Sequence, residues 1–94
     1  MNTERYHRLS TATGTCADKH MDCMNAWVRK SSDGTFRKKC LSTGAQFKKA
    51  LERELAYLKS RPPSDRIATR IRQIKDYLAI VDRDLKMLEN QNGH

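Results

Sequence analysis

An apolar repeat in the last third of the chain limits the folds that this sequence can adopt. Seven aliphatic residues recur there at alternating steps of four and three: Ile67, Ile71, Ile74, Leu78, Val81, Leu85 and Leu88. This spacing is typical of the a and d positions of a coiled-coil heptad, which lie along one side of an α-helix. Ser64 is a suitable N-cap, and Gly93 marks the end of order. The repeat therefore predicts a long C-terminal helix over about residues 64–89.

A second helical pattern precedes this repeat. Thr43, with Gln46 three positions later, has the spacing of a capping box. The apolar residues that follow recur at helical spacing: Phe47, Leu51, Leu55 and Leu58. Pro62 and Pro63 cannot continue a helix and end the pattern. The sequence therefore predicts a mainly α fold built on an antiparallel helical hairpin over residues 43–90, with a tail at 91–94.

The two predicted helices differ in length. At about 1.5 Å per residue, helices over 45–59 and 64–89 would be about 22 and 39 Å long, so the end of the second helix is unpaired. Soluble proteins rarely leave such an apolar surface exposed. We therefore expect a second chain to dock on residues 77–88, with a homodimer as the simplest case. The predicted partner or dimer interface consists of Tyr77, Leu78, Val81, Leu85 and Leu88.

The first half of the chain gives weaker signals. Residues 1–14 are polar and predict an arm, whereas residues 15–28 fit a short helix. Residues 29–42 predict a basic segment, either a loop or a two-stranded ribbon over about 27–30 and 35–40, with a turn at Ser31–Gly34. A ribbon would add a small α+β element to the mainly α fold. The 94 residues are enough for a single domain over residues 1–94.

Cysteine and histidine residues line one face of the predicted N-terminal helix. Cys16, His20 and Cys23 follow at steps of four and three, and Cys40 lies in the basic segment. These four residues match the ligand types of structural zinc, but the usual C-x2-C knuckle is absent. Buried cysteine also packs as a small apolar residue. We therefore predict core packing, with no cofactor, and retain a zinc site or a redox role as alternatives.

Positive charge is concentrated in the middle of the chain. The formal net charge is +8. Between residues 29 and 49, seven basic side chains face the single acid Asp33: Arg29, Lys30, Arg37, Lys38, Lys39, Lys48 and Lys49. A local basic patch indicates an anionic partner, either a nucleic acid or an acidic protein surface. We therefore predict that these seven residues bind that partner.

Several classes of function are not indicated by the sequence. The glycines are scattered, so no phosphate-binding loop is present, and no catalytic constellation is evident. We therefore predict a protein that is not an enzyme and has no small-molecule substrate. No apolar run is long enough for a membrane span, and the N-terminus lacks the apolar core of a signal peptide. These features, with an odd number of cysteines, predict a cytoplasmic protein.

Three functional hypotheses follow. The first is a small basic regulator or adaptor that binds a protein or a protein–nucleic-acid complex through its helical hairpin and basic segment. The second is a dimeric DNA-binding module with ribbon-helix-helix organisation, in which strand 35–40 would enter the major groove. The third is a zinc-stabilised interaction module. The predicted second helix is too long for ribbon-helix-helix organisation, and fourteen residues before the cysteine and histidine stripe would have no role in it. We therefore favour the first hypothesis.

Overall fold

The computed structural model describes residues 3–29 and 34–90 of the chain. It contains three helices: α1 over Thr3–Arg29, α2 over Gly34–Lys59 and α3 over Asp65–Asn90. A short loop over residues 60–64 joins α2 to α3, and no strand occurs in these two described ranges. The prediction of a mainly α fold is therefore confirmed.

The first helix is longer than the sequence pattern indicated. Residues 1–14 were predicted to form an arm, but α1 is helical from Thr3 to Arg29. The face that carries Cys16 and His20 continues towards the N-terminus through Tyr6 and Thr13. Both of these residues are polar, so their periodicity did not stand out as an apolar stripe. Each has a hydrogen-bond partner on α2, which explains how a polar segment packs as a helix.

The ribbon predicted over 27–30 and 35–40 is wrong where the structure describes it. Residues 27–29 form the last turn of α1, and residues 35–40 lie in the first turns of α2. Lys30 and the turn at Ser31–Asp33 lie outside the described residues. The helical conformation buries Cys40 against Trp27 and Leu88. The ribbon-helix-helix hypothesis requires a strand over residues 35–40, but these residues are helical.

The early start of α2 also removes the expected difference in length. Helices α2 and α3 each contain 26 residues, so neither extends far beyond the other. Thr43 is therefore internal to α2 rather than its N-cap, and its hydroxyl donates to the Cys40 carbonyl. At the start of α3, Ser64 acts as the predicted cap, since its hydroxyl accepts a hydrogen bond from the Ile67 amide at 3.2 Å.

The apolar core follows the helical repeats of α2 and α3. Its main cluster consists of Phe47, Leu51, Leu58, Ile74 and Val81. A second cluster joins all three helices through Trp27, Cys40 and Leu88. Both α1 and α3 pack on α2, and the molecule measures 48 × 20 × 15 Å along its principal axes. None of the described helices is long and apolar enough to cross a membrane.

Two clusters of buried polar side chains interrupt this core. Each cluster contains one side chain from each of the three helices. In the first, Glu54 accepts hydrogen bonds from Tyr6 at 3.0 Å and from Arg70 at 2.7 and 3.1 Å. In the second, the His20 ring contacts the Thr43 hydroxyl at 3.2 Å and the Asp84 carboxylate at 3.1 Å. Because buried polar groups need their partners, these contacts oppose sliding of the helices along one another.

Candidate anion-binding surface

The structure divides the seven predicted basic residues into two groups. Arg37 donates from Nε to the Leu88 carbonyl at 3.1 Å, close to the end of α3. Lys48 pairs with Asp82 at 2.8 Å, and this contact raises the Lys48 pKa through a hydrogen bond and through charge attraction. These two side chains therefore hold α2 against α3. The other described members are exposed, namely Arg29, Lys38, Lys39 and Lys49, whereas Lys30 lies outside the described residues.

Basic residues lie along the side of α2 that faces away from the core. Lys38, Lys39, Lys49 and Arg53 are all exposed, whereas Cys40, Phe47, Leu51 and Leu58 on the opposite side are buried. We refer to Lys38, Lys39, Lys49 and Arg53 as the basic face of α2. From the first to the last of these residues the face extends about 22 Å along the helix axis.

An arginine–tyrosine cluster continues the basic face at the end of the molecule that holds the α2–α3 loop. The Tyr57 ring stacks on Tyr6 with a centroid separation of 5.8 Å. The guanidinium groups of Arg5 and Arg61 lie 5.7 and 5.9 Å from the centre of the Tyr57 ring. These distances are within the range of cation–π contacts. We define the arginine–tyrosine cluster as Arg5, Arg53, Tyr57 and Arg61.

Two surface grooves meet at this cluster and share Tyr57 and Arg61. The first has a volume of about 550 Å³ and is also lined by Arg5, Leu9, Arg53, Ala56 and Ser60. The second has a volume of about 350 Å³ and is also lined by Tyr6, Leu58, Ser64, Arg66, Ile67 and Arg70. Five arginines therefore line two adjoining grooves. Guanidinium groups bind phosphate and carboxylate through paired hydrogen bonds, so these grooves suit an anionic ligand.

Arg70 contributes to the grooves but is already paired with Glu54. Burial alone would raise the Glu54 pKa, but hydrogen bonds from Arg70, Thr13 and Tyr6 hold it below its usual value. The same contacts act on Tyr6, whose pKa is raised by burial and then by Glu54. Arg70 is therefore bound to Glu54 in the wall of the smaller groove, which Arg61 and Arg66 also line. Arg5 and Arg53 line the larger groove.

The predicted partner interface is only partly exposed. Val81 and Leu88 are fully buried, Leu78 and Leu85 are half-buried, and Tyr77 remains 44% exposed. This stripe was expected to be uncovered because the helix before α3 was predicted to begin near residue 45, whereas α2 begins at Gly34. In the structure Trp27 of α1 and Cys40 of α2 pack with Leu88, and Val81 lies in the main apolar cluster. Docking of a second chain on residues 77–88 remains a prediction in which Tyr77 is the accessible member.

Tyr77 lies in a groove between α1 and α3 that has exposed apolar residues on both sides. Met21 on α1 is 61% exposed, and Ile80 on α3 is 44% exposed. The groove has a volume of about 550 Å³, and Asp18 and Asp84 also line it. Among the described residues, Arg70 is the one arginine in its lining, so this groove is less basic than the arginine-rich grooves at the α2–α3 loop.

The cysteine and histidine residues do not converge on one point. Both ring nitrogens of His20 already contact side chains, and Cys23 instead packs against the cluster that contains Cys40. Cys16 packs against the main apolar cluster. Among residues 3–29 and 34–90, no three histidine, cysteine or acidic side chains are placed to hold a metal ion. The residues proposed for zinc therefore serve in packing and hydrogen bonding here.

Sequence reasoning missed the arginine–tyrosine cluster. Tyr57 and Arg61 lie in and after the predicted helix, but Arg5 and Tyr6 fell within the predicted arm. A signal was available, because Tyr6, Thr13, His20 and Trp27 are spaced at seven residues and continue the face to the N-terminus.

Comparison of the chain with protein-family models, with curated proteins and with solved structures finds no match.

Proposed function

We propose that this protein is a small non-enzymatic regulator or adaptor that binds the nucleic acid of a protein–nucleic-acid complex. The contact surface consists of the basic face of α2 and the adjoining arginine–tyrosine cluster. In this proposal α1 and α3 hold α2 in place, and α1 also contributes Arg5 to the contact surface. The partner is recognised mainly by its phosphate groups.

The observation that carries this proposal is the unbalanced charge of α2. The helix has seven basic and two acidic residues. One of the two acids, Glu54, is buried and paired with Arg70, so Glu52 is the acid that α2 exposes. Two of the basic residues, Arg37 and Lys48, contact α3. The remaining positive charge faces away from the core, where it attracts an anionic partner.

The residue types favour nucleic acid over an acidic protein surface. Arginine predominates in the two grooves, and its planar group matches the geometry of a phosphate. The Tyr57 ring lies at the junction of both grooves, where an aromatic side chain can contact a base or a sugar. The basic face is also elongated, which suits a polymer with regularly spaced phosphates better than a compact carboxylate cluster.

A non-enzymatic role is consistent with how the polar side chains are used. The buried His20 and Glu54 are each surrounded by partners that belong to the core. Neither presents a free functional group to one of the arginine-lined grooves. Such networks are typical of side chains that specify helix packing.

The proposal is tested by charge reversal on α2 with a matched control on α3. The test variant carries Lys38→Glu, Lys49→Glu and Arg53→Glu, all on the basic face of α2. The control carries Arg72→Glu, Lys75→Glu and Lys86→Glu, which reverse three exposed charges on α3. Both variants therefore have the same net charge. Binding of fluorescent single-stranded and duplex oligonucleotides is measured by anisotropy, after circular dichroism has verified that each variant is folded.

We expect the α2 variant to lose at least tenfold more affinity than the α3 variant. Equal losses would show that only the net charge matters, and would contradict a specific surface. A polyglutamate peptide of similar charge serves as a second ligand. Preference for that peptide over every oligonucleotide would replace the nucleic-acid proposal by an acidic protein partner.

A further inference from the structure

Helices α1 and α2 pack in a register that brings two cysteines opposite each other. Cross-helix contacts recur at seven-residue intervals: Tyr6 with Tyr57, Thr13 with Ala50 and His20 with Thr43. Each step forward on α1 is matched by an equal step backward on α2, as expected for antiparallel helices. Three residues after His20 is Cys23, and three residues before Thr43 is Cys40. The same register therefore pairs Cys23 with Cys40.

Direct contacts agree with this register. Cys23 packs against the cluster formed by Trp27, Cys40 and Leu88. The helices also approach closely one turn away, at Gly44. A Cβ atom added to Gly44 would lie 3.1 Å from Cε1 of His20 on α1. Close backbones are a geometric requirement for a disulfide, because its Cα atoms must lie within about 7 Å.

The two sulfur atoms differ in access. Cys40 is fully buried, whereas Cys23 is only half-buried. A surface depression of about 330 Å³ adjoins Cys23 and is also lined by Lys19, Asp22, Ala26, Lys39 and Thr43. Lys19 and Lys39 outnumber Asp22 among its charged residues, so the depression is positive by one charge. A small anionic reagent would therefore meet Cys23 before it meets Cys40.

We propose that Cys23 and Cys40 are a redox-active pair, which a small anionic disulfide such as oxidised glutathione converts into a cross-link between α1 and α2. The Cys23 thiolate attacks one sulfur of the oxidant, forms a mixed disulfide and releases one thiol. Cys40 then attacks the Cys23 sulfur and releases the second thiol. The protein loses two electrons and two protons, and the oxidant is reduced to two thiols.

The surroundings of Cys40 favour this order of events. Burial, followed by the charge and hydrogen bond of Cys23, raises the Cys40 pKa to about 12. Thiolate, rather than thiol, is the nucleophile, so Cys40 does not make the first attack. Once Cys23 is in a mixed disulfide, its contribution to the raised pKa disappears. Burial still opposes ionisation, so we expect the second step to be slow.

Cys16 provides a matched control within the same helix. It is also half-buried and also lies on the inner face of α1, but it packs against the main apolar cluster. By the same register, the residue opposite Cys16 on α2 is Phe47 rather than a cysteine. A disulfide that formed through unfolding would involve Cys16 as readily as the other two cysteines.

The folded full-length protein is incubated with oxidised glutathione, and products are followed by intact mass and peptide mapping. We expect wild type and Cys16→Ser to lose two hydrogen atoms through a Cys23–Cys40 link that dithiothreitol reverses. Cys40→Ala should retain glutathione on Cys23, and Cys23→Ser should form no link. The linked protein should also melt at a higher temperature, because the cross-link restricts the unfolded chain.

Two results would overturn the proposal. One is folded wild-type protein that stays reduced, or stops at a mixed disulfide, under conditions that oxidise the urea-unfolded chain. The other is a link that involves Cys16. The wild-type and Cys16→Ser proteins suffice for this decision, even where Cys40→Ala does not fold. A further variant, Lys39→Glu, should slow the first step several-fold relative to Lys49→Glu, which changes charge away from the depression.

Discussion

The guanidinium group of Arg70 on α3 donates two hydrogen bonds to the carboxylate of Glu54 on α2, at 2.7 and 3.1 Å. Glu54 is fully buried, and Tyr6 on α1 donates a third hydrogen bond to the same carboxylate. The hydrogen bonds among Tyr6, Glu54 and Arg70 therefore connect all three helices at the end of the molecule that carries the arginine–tyrosine cluster. These hydrogen bonds hold in place the helices that carry the proposed binding surface.

Removal of the Arg70 charge should strongly destabilise the protein. Arg70→Met leaves the Glu54 carboxylate buried without its countercharge, which typically costs about 3–5 kcal/mol. Arg72→Met is the control, because Arg72 is exposed, and it should change stability by about 0.5 kcal/mol or less. Urea unfolding monitored by circular dichroism measures both. Equal midpoints for the two variants would show that the ion pair contributes little.

Glu54 should also make stability depend on pH in the acid range. Its pKa is lower in the folded protein than in the unfolded chain. The resulting stabilisation is fully present above the unfolded value of about 4.3, and is lost as pH falls through the lower folded pKa. Wild type should therefore lose stability more steeply than Glu54→Gln below about pH 4.3. Parallel pH profiles for the two proteins would contradict this assignment.

Two helical glycines should respond oppositely to alanine. A Cβ added to Gly14 meets no atom within 4 Å, so Gly14→Ala should stabilise α1 by up to about 1 kcal/mol. A Cβ added to Gly44 would lie 2.8 Å from Cδ2 of Leu85 and 3.1 Å from the His20 ring. Leu85 can move, but the ring is held by two hydrogen bonds.

We therefore expect Gly44→Ala to destabilise the protein by about 1–3 kcal/mol, as overpacking usually does. Thermal unfolding of the two single variants and of Gly44→Ala with Leu85→Ala provides the measurement. The double variant shows how much of the strain comes from Leu85. Stabilisation of similar size at both glycines would mean that the helices are farther apart than the structure shows.

The N-terminal turns of α1 should be needed for folding. A chain that begins at Gly14 lacks Tyr6 and Thr13, both of which bond to α2. We expect it to unfold at much lower urea concentration than the full chain. Little change on truncation would support the arm that the sequence pattern had indicated. Circular dichroism of both chains would distinguish these outcomes.

The strongest sequence signals identified the apolar faces of α2 and α3, but not the full extent of α1 and α2. Ile74 and Leu51 belong to aliphatic repeats and are found in the core. Thr13, His20 and Glu54 occupy equivalent inward positions, although each is polar. Hydrophobic periodicity does not identify such positions, because the burial of a polar side chain depends on partners from other helices.

Only part of the basic surface could be predicted from the sequence, because helix packing decides which basic residues are exposed and which lie together. Charge density along the chain indicated Lys38, Lys39 and Lys49, which are exposed on α2. The same segment of high charge density includes Arg37 and Lys48, but these two side chains contact α3. The arginines near Tyr57 are dispersed in sequence and meet only after the helices pack. Their proximity is a tertiary property that no local pattern carries.

The most direct test of the central claim is the salt dependence of nucleic-acid affinity. Dissociation constants for one oligonucleotide are measured from about 50 to 200 mM salt. Engagement of four or five phosphates by the basic face and the arginine–tyrosine cluster predicts a log–log slope of about −4 for duplex DNA, and of about −3 for a single strand. The charge-reversed α2 variant should reduce that slope by about 2–3. A wild-type slope near zero, or no measurable binding at the lowest salt, would contradict phosphate recognition by α2.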